Sequence, residues 1–203
     1  ADEDTHKMML NRITLALRNR SARQILLLLL GLTFVLRLCV VLMARSVPND
    51  GTGYGFMARD FMRGEYQKGL SSTLHPFYPF LISLFSPGPA HVELTGRLIS
   101  LFWGTVTLLP VYALVRRTVG QKEAAFAALF YGLHPQLVSY SGMVLSEATY
   151  WGLLTLAVYL FWMGLRRQSL LESISSSVLL GMAYLTRPEA AGYLLVFVAW
   201  AAV

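Results

Sequence analysis

Gln24–Met43 reads QILLLLLGLTFVLRLCVVLM, an apolar run interrupted by a single charge, Arg37. A bilayer core about 30 Å thick takes roughly 20 helical residues to cross, so this run predicts a transmembrane helix. The pattern returns at Leu98–Val115, Ala124–Val144, Ala148–Leu165, Leu170–Leu185 and Ala190–Val203. The fold class that follows is all-α, a polytopic transmembrane helix bundle. Residues 1–23 form a basic segment ahead of it, and 24–203 form the bundle module. The last run stops at Val203 without a flanking charge, which reads as a module truncated at its C-terminal side. Residues 46–93 make the longest polar-rich loop.

Composition agrees with this. Hydrophobic residues make up 55% and charged residues 14% of the chain, too apolar for a disordered tail or a nucleic-acid-binding domain. The net charge of +6 looks like a nucleic-acid signal only if its placement is ignored. Lys7, Arg12, Arg18, Arg20 and Arg23 precede the first run, Arg116, Arg117 and Lys122 follow the second, and Arg166 and Arg167 follow the fourth. Short basic loops stay in the cytoplasm, so these segments face inward and 46–93 faces out, as do the turns near Glu147 and Arg187. Met8–Arg23 has the loose helical spacing of a helix lying on the inner surface. Ile25–Leu36 has the basic front of a signal peptide, but no small-x-small cleavage site follows and more spans do, so it reads as an uncleaved anchor. Cys39 is solitary and gives no disulfide framework. Arg37, near the outer end of its run, is expected to snorkel to the headgroups; a pairing with Asp50 is the sharper alternative.

The loop 46–93 carries two short amphipathic helices. Tyr54–Gly64 spaces Phe56, Met57, Phe61 and Met62 at helical intervals between charges, and Phe80–Phe85 is too short to span. They form a roof over the outer face. Pro135 in the third run predicts a kink, with the outer piece packed in protein.

Three segments could carry chemistry. Pro48-Asn49-Asp50-Gly51 reads first as a turn, since each residue favours one. It also fixes a carboxylate at the membrane boundary, which makes Asp50 the best general-base candidate. Ser146-Glu147 reads as a helix cap or as a functional carboxylate. Thr186-Arg187-Pro188-Glu189 matches a capping box, with Pro188 forcing Arg187 out of helical geometry. The cap leaves Arg187 unexplained, and a guanidinium suits phosphate oxygens. His75 and His134 read as structural. No zinc spacing, nucleophile elbow, Walker loop or dinucleotide fingerprint is present.

In order and spacing, Asp50, Tyr54, Met57-Ala58-Arg59, His75-Pro76-Phe77-Tyr78-Pro79, Gly96-Arg97-Leu98, Ser146-Glu147 and Gly181–Glu189 resemble the polytopic glycosyltransferases of the GT-C superfamily. The likeness is to the bacterial branch related to protein O-mannosyltransferases and lipid A aminoarabinose transferases. The resemblance implies a sugar donor on polyprenyl phosphate, a hydroxyl acceptor (protein, lipid or glycan) and inversion at the sugar carbon. It implies Asp50 as catalytic base, and substrate contacts from Tyr54, Arg59, His75, Tyr78, Glu147, Arg187 and Glu189. Relatives often carry two adjacent acids where this chain has Asn49-Asp50, which bears on any divalent metal ion at the site. It also implies a cell-envelope enzyme of the bacterial plasma membrane, transferring a hexosyl or pentosyl group. A transporter or flippase for a lipid-linked sugar, and a non-catalytic scaffold, are the competing classes. A transporter should line a midplane path with polar groups, and these acids avoid the midplane.

Overall fold

A computed structural model describes the backbone of residues 2–44 and 46–201, and the side chains of 22–44 and 46–200. The described residues are helical throughout their regular structure: α1 (Asp2–Met43), α2 (Asn49–Met62), α3 (Tyr66–Leu70), α4 (Phe77–Phe85), α5 (Val92–Val106), α6 (Leu108–Thr118), α7 (Gln121–Leu133), α8 (Pro135–Ser141), α9 (Glu147–Arg167), α10 (Leu170–Thr186) and α11 (Ala190–Ala201). The bundle is inside-out relative to a water-soluble one. Leu28, Leu42, Phe102, Phe130 and Leu195 are exposed, while Thr33, Ser100, Ser141, Thr149 and Ser176 are buried. Lipid is as apolar as leucine, so small polar residues that let helices approach hold the interior. Ala157 and Ser176 show this between α9 and α10, where the serine hydroxyl donates to the Ala157 carbonyl at 2.8 Å.

Among the described residues, three helices are by length and composition apolar enough to cross a membrane: Ala22–Met43, the broken pair α5–α6 over Pro89–Thr118, and α9. The remaining apolar runs fold as shorter helices. Leu170–Thr186 and Ala190–Trp200 are shorter apolar helices. Ala124–Val144 divides into α7 and α8 at His134-Pro135, as the proline requires. The helix expected separately at Met8–Arg23 is instead a continuation of α1.

Arg37 corrects another expectation. It does not snorkel, and it does not pair with Asp50; it is fully buried. Pro135 lacks an N–H, so the Tyr131 carbonyl four residues earlier has no helical donor. Arg37 Nη2 approaches that carbonyl at 3.5 Å, and Nη1 donates to the Leu137 carbonyl and to Ser141 Oγ. The guanidinium also lies over the Tyr131 ring, 5.4 Å from its centroid. Gly104 makes room for it, since a Cβ there would stand 2.9 Å from Arg37 Nη1. A charge in α1 thus reaches the carbonyl that a proline frees, and the α8 turn beyond it, about a hundred residues later.

Four short pieces form the roof: α2, α3, α4 and a 3-10 turn at Pro89–His91. Their shared core is Tyr54, Met57, Ala58, Phe61, Tyr78 and Ile82, set on Val92, Ile99 and Val144 below. The first roof helix begins earlier than expected. Pro48, in extended geometry, precedes Asn49, and the Thr52 N–H closes the first turn on the Pro48 carbonyl at 3.0 Å. Asp50 therefore sits in the first turn of a helix, where the positive end of the dipole favours a carboxylate.

Replacing Arg37 with Met should leave the α7–α8 carbonyls without their donor and lower stability by about 1–3 kcal/mol. Reversible unfolding in mixed micelles measures this; a variant as stable as the parent would return Arg37 to the headgroups.

Candidate active site

One end of the bundle gathers most of the reactive residues. Gly51 lets the start of α2 approach the Val144 backbone; a Cβ there would meet the Val144 carbonyl oxygen at 2.7 Å. Two residues after Val144 comes Ser146, and its hydroxyl accepts from Tyr54 Oη at 2.9 Å. Ser146 makes no side-chain cap on α9, so its hydroxyl serves the roof instead of the helix end. Glu147 then opens α9, and its Oε1 pairs with Arg187 Nη1 at 2.8 Å. Arg187 Nη2 reaches Glu189 Oε1 at 3.0 Å.

The corner carrying Arg187 forms for the reason its sequence gives. Pro188 excludes the α region for the residue before it, and Arg187 is extended, at φ −153° and ψ 135°. The capping box does not form. Thr186 ends α10, with its hydroxyl donating back to the Met182 carbonyl at 2.8 Å, and α11 begins only at Ala190. Glu189 is thereby released to hold Arg187.

The charges meet around Tyr54. Burial raises the pKa of its hydroxyl; Glu147 and Asp50 push it the same way, while the Ser146 hydrogen bond and Arg187 pull it down. Asp50, Glu147 and Arg187 are thus all within electrostatic reach of one phenol. Asp50 is exposed and makes no ion pair among the described residues. Burial opposes the charge on Arg187, but Glu189 and Glu147 outweigh it and raise its pKa, so it is cationic throughout the working range. The Arg187 hydrogen bond holds Glu189 below the usual carboxylate range. Glu147 Oε2 is buried with no partner among the described residues, an acceptor facing no donor.

The remaining predicted residues divide. His75 packs edge-on to Tyr184, with ring centroids 6.5 Å apart, and its charge is felt by Glu189. Tyr78 is fully buried, its hydroxyl donating to the Gly96 carbonyl at 2.9 Å and lying 3.0 Å from Ser100 Oγ. It stands edge-on behind Tyr54, at 5.1 Å between centroids, and so braces the site from inside the roof. Arg59 points elsewhere: its Nε donates to the Pro89 carbonyl at 3.1 Å and its guanidinium lies over Phe56.

Sequence reasoning missed four contributors. Tyr150, one turn into α9, lies within electrostatic reach of Glu189 and Arg187. Tyr184 faces His75, and Ser146 anchors Tyr54. Arg97 is buried and bonds Glu93 and the carbonyls of Ala44 and Ser46, fixing the chain that leads to Asp50. Arg97, Ser146 and Tyr184 all lie within motifs the sequence singles out, though without these roles; Tyr150 alone had no signal.

An apolar cleft of about 760 Å³ lies between α4, α5, α9 and α10. Phe77, Leu81, Leu98, Phe102, Leu179 and Met182 line it. Phe77 follows His75 by two residues, and Met182 is about one turn before Arg187. As for metals, no three His, Cys, Asp or Glu side chains gather to hold an ion among the described residues. Glu147 and Glu189 are both engaged with Arg187. Among the described residues this donor set does not by itself fit a divalent ion.

Tyr54→Phe removes one buried hydrogen bond and should cost about 1 kcal/mol. The paired Tyr54→Phe/Ser146→Ala variant should cost little more than either alone. Additive losses in a double-mutant cycle would show that the two hydroxyls do not interact.

A family model described as dolichyl-phosphate-mannose-protein mannosyltransferase matches residues 74–203. That range takes in His75, Tyr78, Glu147, Arg187 and Glu189, and begins after Asp50, Tyr54 and Arg59. No curated protein and no solved structure matches the chain.

Proposed function

The chain belongs to the dolichyl-phosphate-mannose-protein mannosyltransferase family of GT-C membrane glycosyltransferases, which use polyprenyl-phosphate-linked sugars, and from that footing we propose that it transfers a sugar from such a carrier to a hydroxyl acceptor at the outer face of a bacterial plasma membrane. The observation carrying this reading is the Glu147–Arg187–Glu189 cluster, gathered at the end of the bundle where Ser146 anchors Tyr54 of the roof helix that also bears Asp50. A carrier has two unlike parts, a charged phosphate-sugar and a hydrocarbon tail. The apolar cleft between α4, α5, α9 and α10 suits the tail, and the Arg187 corner suits the phosphate.

Asp50 accepts the proton of the acceptor hydroxyl. A carboxylate is too weak a base to ionise an alcohol beforehand, so the proton moves late, as the new bond from acceptor oxygen to sugar carbon forms. The bond from that carbon to the phosphate oxygen breaks on the opposite side, and the sugar carbon inverts. Negative charge then grows on the departing phosphate, and Arg187 stabilises it with fixed, forked donors. Glu147 and Glu189 hold the guanidinium in position. Glu189, about half exposed, is the partner that yields more readily to a phosphate oxygen. Glu147 Oε2 accepts from a sugar hydroxyl, which offsets the cost of burying an unpartnered oxygen. His75 and the roof above it cover the sugar.

The orientation follows from charge. Arg116, Arg117, Arg166 and Arg167 close α6 and α9 at the end away from Glu147. The positive-inside rule puts that end and the N-terminus in the cytoplasm and the site outside.

Transfer from a labelled polyprenyl-phosphate sugar tests these roles. Asp50→Asn should lower turnover about 10²-fold or more, as loss of a general base does. Arg187→Ala should lose about 10²–10³-fold, with partial recovery in Arg187→Lys. Undiminished transfer by Asp50→Asn would remove the base assignment.

A further inference from the structure

At the end of the bundle remote from Asp50, a second cleft of about 530 Å³ lies between α1, α6 and α9. Its lining is of two kinds. The partly buried Leu26 and the exposed Leu109 line it together with Arg116, Arg117, Tyr112 and Tyr159. Arg167 nearby spends its charge on Glu172, at 3.2 Å. Arg116 is engaged already. Arg117 differs from both. Its Nη1 rests on the Met163 thioether sulfur at 3.0 Å and its guanidinium stands over the Tyr159 ring, 5.8 Å from the centroid. A thioether is a weak acceptor. Among the described residues no carboxylate pairs with Arg117.

We propose that this cleft binds the headgroup of one anionic phospholipid, with Arg117 as the principal phosphate ligand. Arg117, a guanidinium that no carboxylate pairs, borders a cleft whose lining also carries Leu26 and the exposed Leu109. That combination matches a phosphate attached to acyl chains rather than a free anion, which would gain nothing from Leu26 and Leu109. A guanidinium offers forked donors to phosphate oxygens. Basic clefts between helices at a membrane boundary are where anionic headgroups collect. The site lies at the opposite end from the transferase cluster and does not depend on the reading of that cluster.

Native mass spectrometry of the full chain released from nanodiscs tests this, with equal phosphatidylglycerol and phosphatidylcholine supplied. The protein should retain phosphatidylglycerol preferentially, and Arg117→Gln should cut the ratio of the two retained lipids about tenfold. Arg167→Gln should leave the ratio unchanged, because its charge is already paired. Comparing two lipids on the same variant removes any general loss of folding from the result. Equal retention of both lipids by the parent, an unchanged ratio in Arg117→Gln, or an equal loss in Arg167→Gln would overturn the proposal. Displacement of phosphatidylglycerol by millimolar inorganic phosphate would also overturn it, showing a free-anion site.

Discussion

Arg187 is held at both ends of its guanidinium, by Glu147 at the start of α9 and by Glu189 beyond the corner that follows α10. Half-buried charges at a membrane edge are costly unless paired, so this cation can stand where it does only because two carboxylates converge on it. The pairing in turn joins two helix ends that sequence order keeps forty residues apart. Tyr54 is tied to the same place through Ser146, which brings the roof and Asp50 with it.

Two further guanidiniums hold the frame. Arg97 binds the carbonyls of Ala44 and Ser46, so the exit of α1 is pinned to α5 just before the segment bearing Asp50. Arg37 binds α8, whose end leads within a few residues to Val144, Ser146 and Glu147. Each of these arginines is buried and donates its terminal nitrogens chiefly to backbone carbonyls, so both act as donors to broken or ending helices. Arg37 and Arg97 thus serve structure, whereas Arg187 belongs to the candidate site.

Local signals carried a good part of this. The break at Pro135 and the extended Arg187 before Pro188 follow from proline sterics alone, which act within one or two residues. The roof followed from apolar spacing and from runs too short to span. What the sequence hid depends on distant partners. Arg37 reads as a snorkelling residue because its acceptors lie about a hundred positions away. Ser146 and Thr186 read as caps because their residue types favour that role, yet Tyr54 and the Met182 carbonyl claim their hydroxyls. Asp50 reads as part of a turn because Pro-Asn-Asp-Gly suits a turn and a first helical turn equally well. Arg59 and Arg187 are equally basic in the sequence; only packing sends one to Pro89 and the other to the site.

The central claim is that Asp50 and Arg187 border one cavity on a single side of the membrane. Cysteines placed at 50 and 187, with Cys39 replaced by alanine, test it most directly when probed by a membrane-impermeant thiol cross-linker of short reach. The account predicts that externally added reagent bridges the pair in sealed vesicles and leaves a cysteine at 166 unmodified. Modification of positions 50 and 187 from opposite sides, or labelling of both without any bridge, would contradict it.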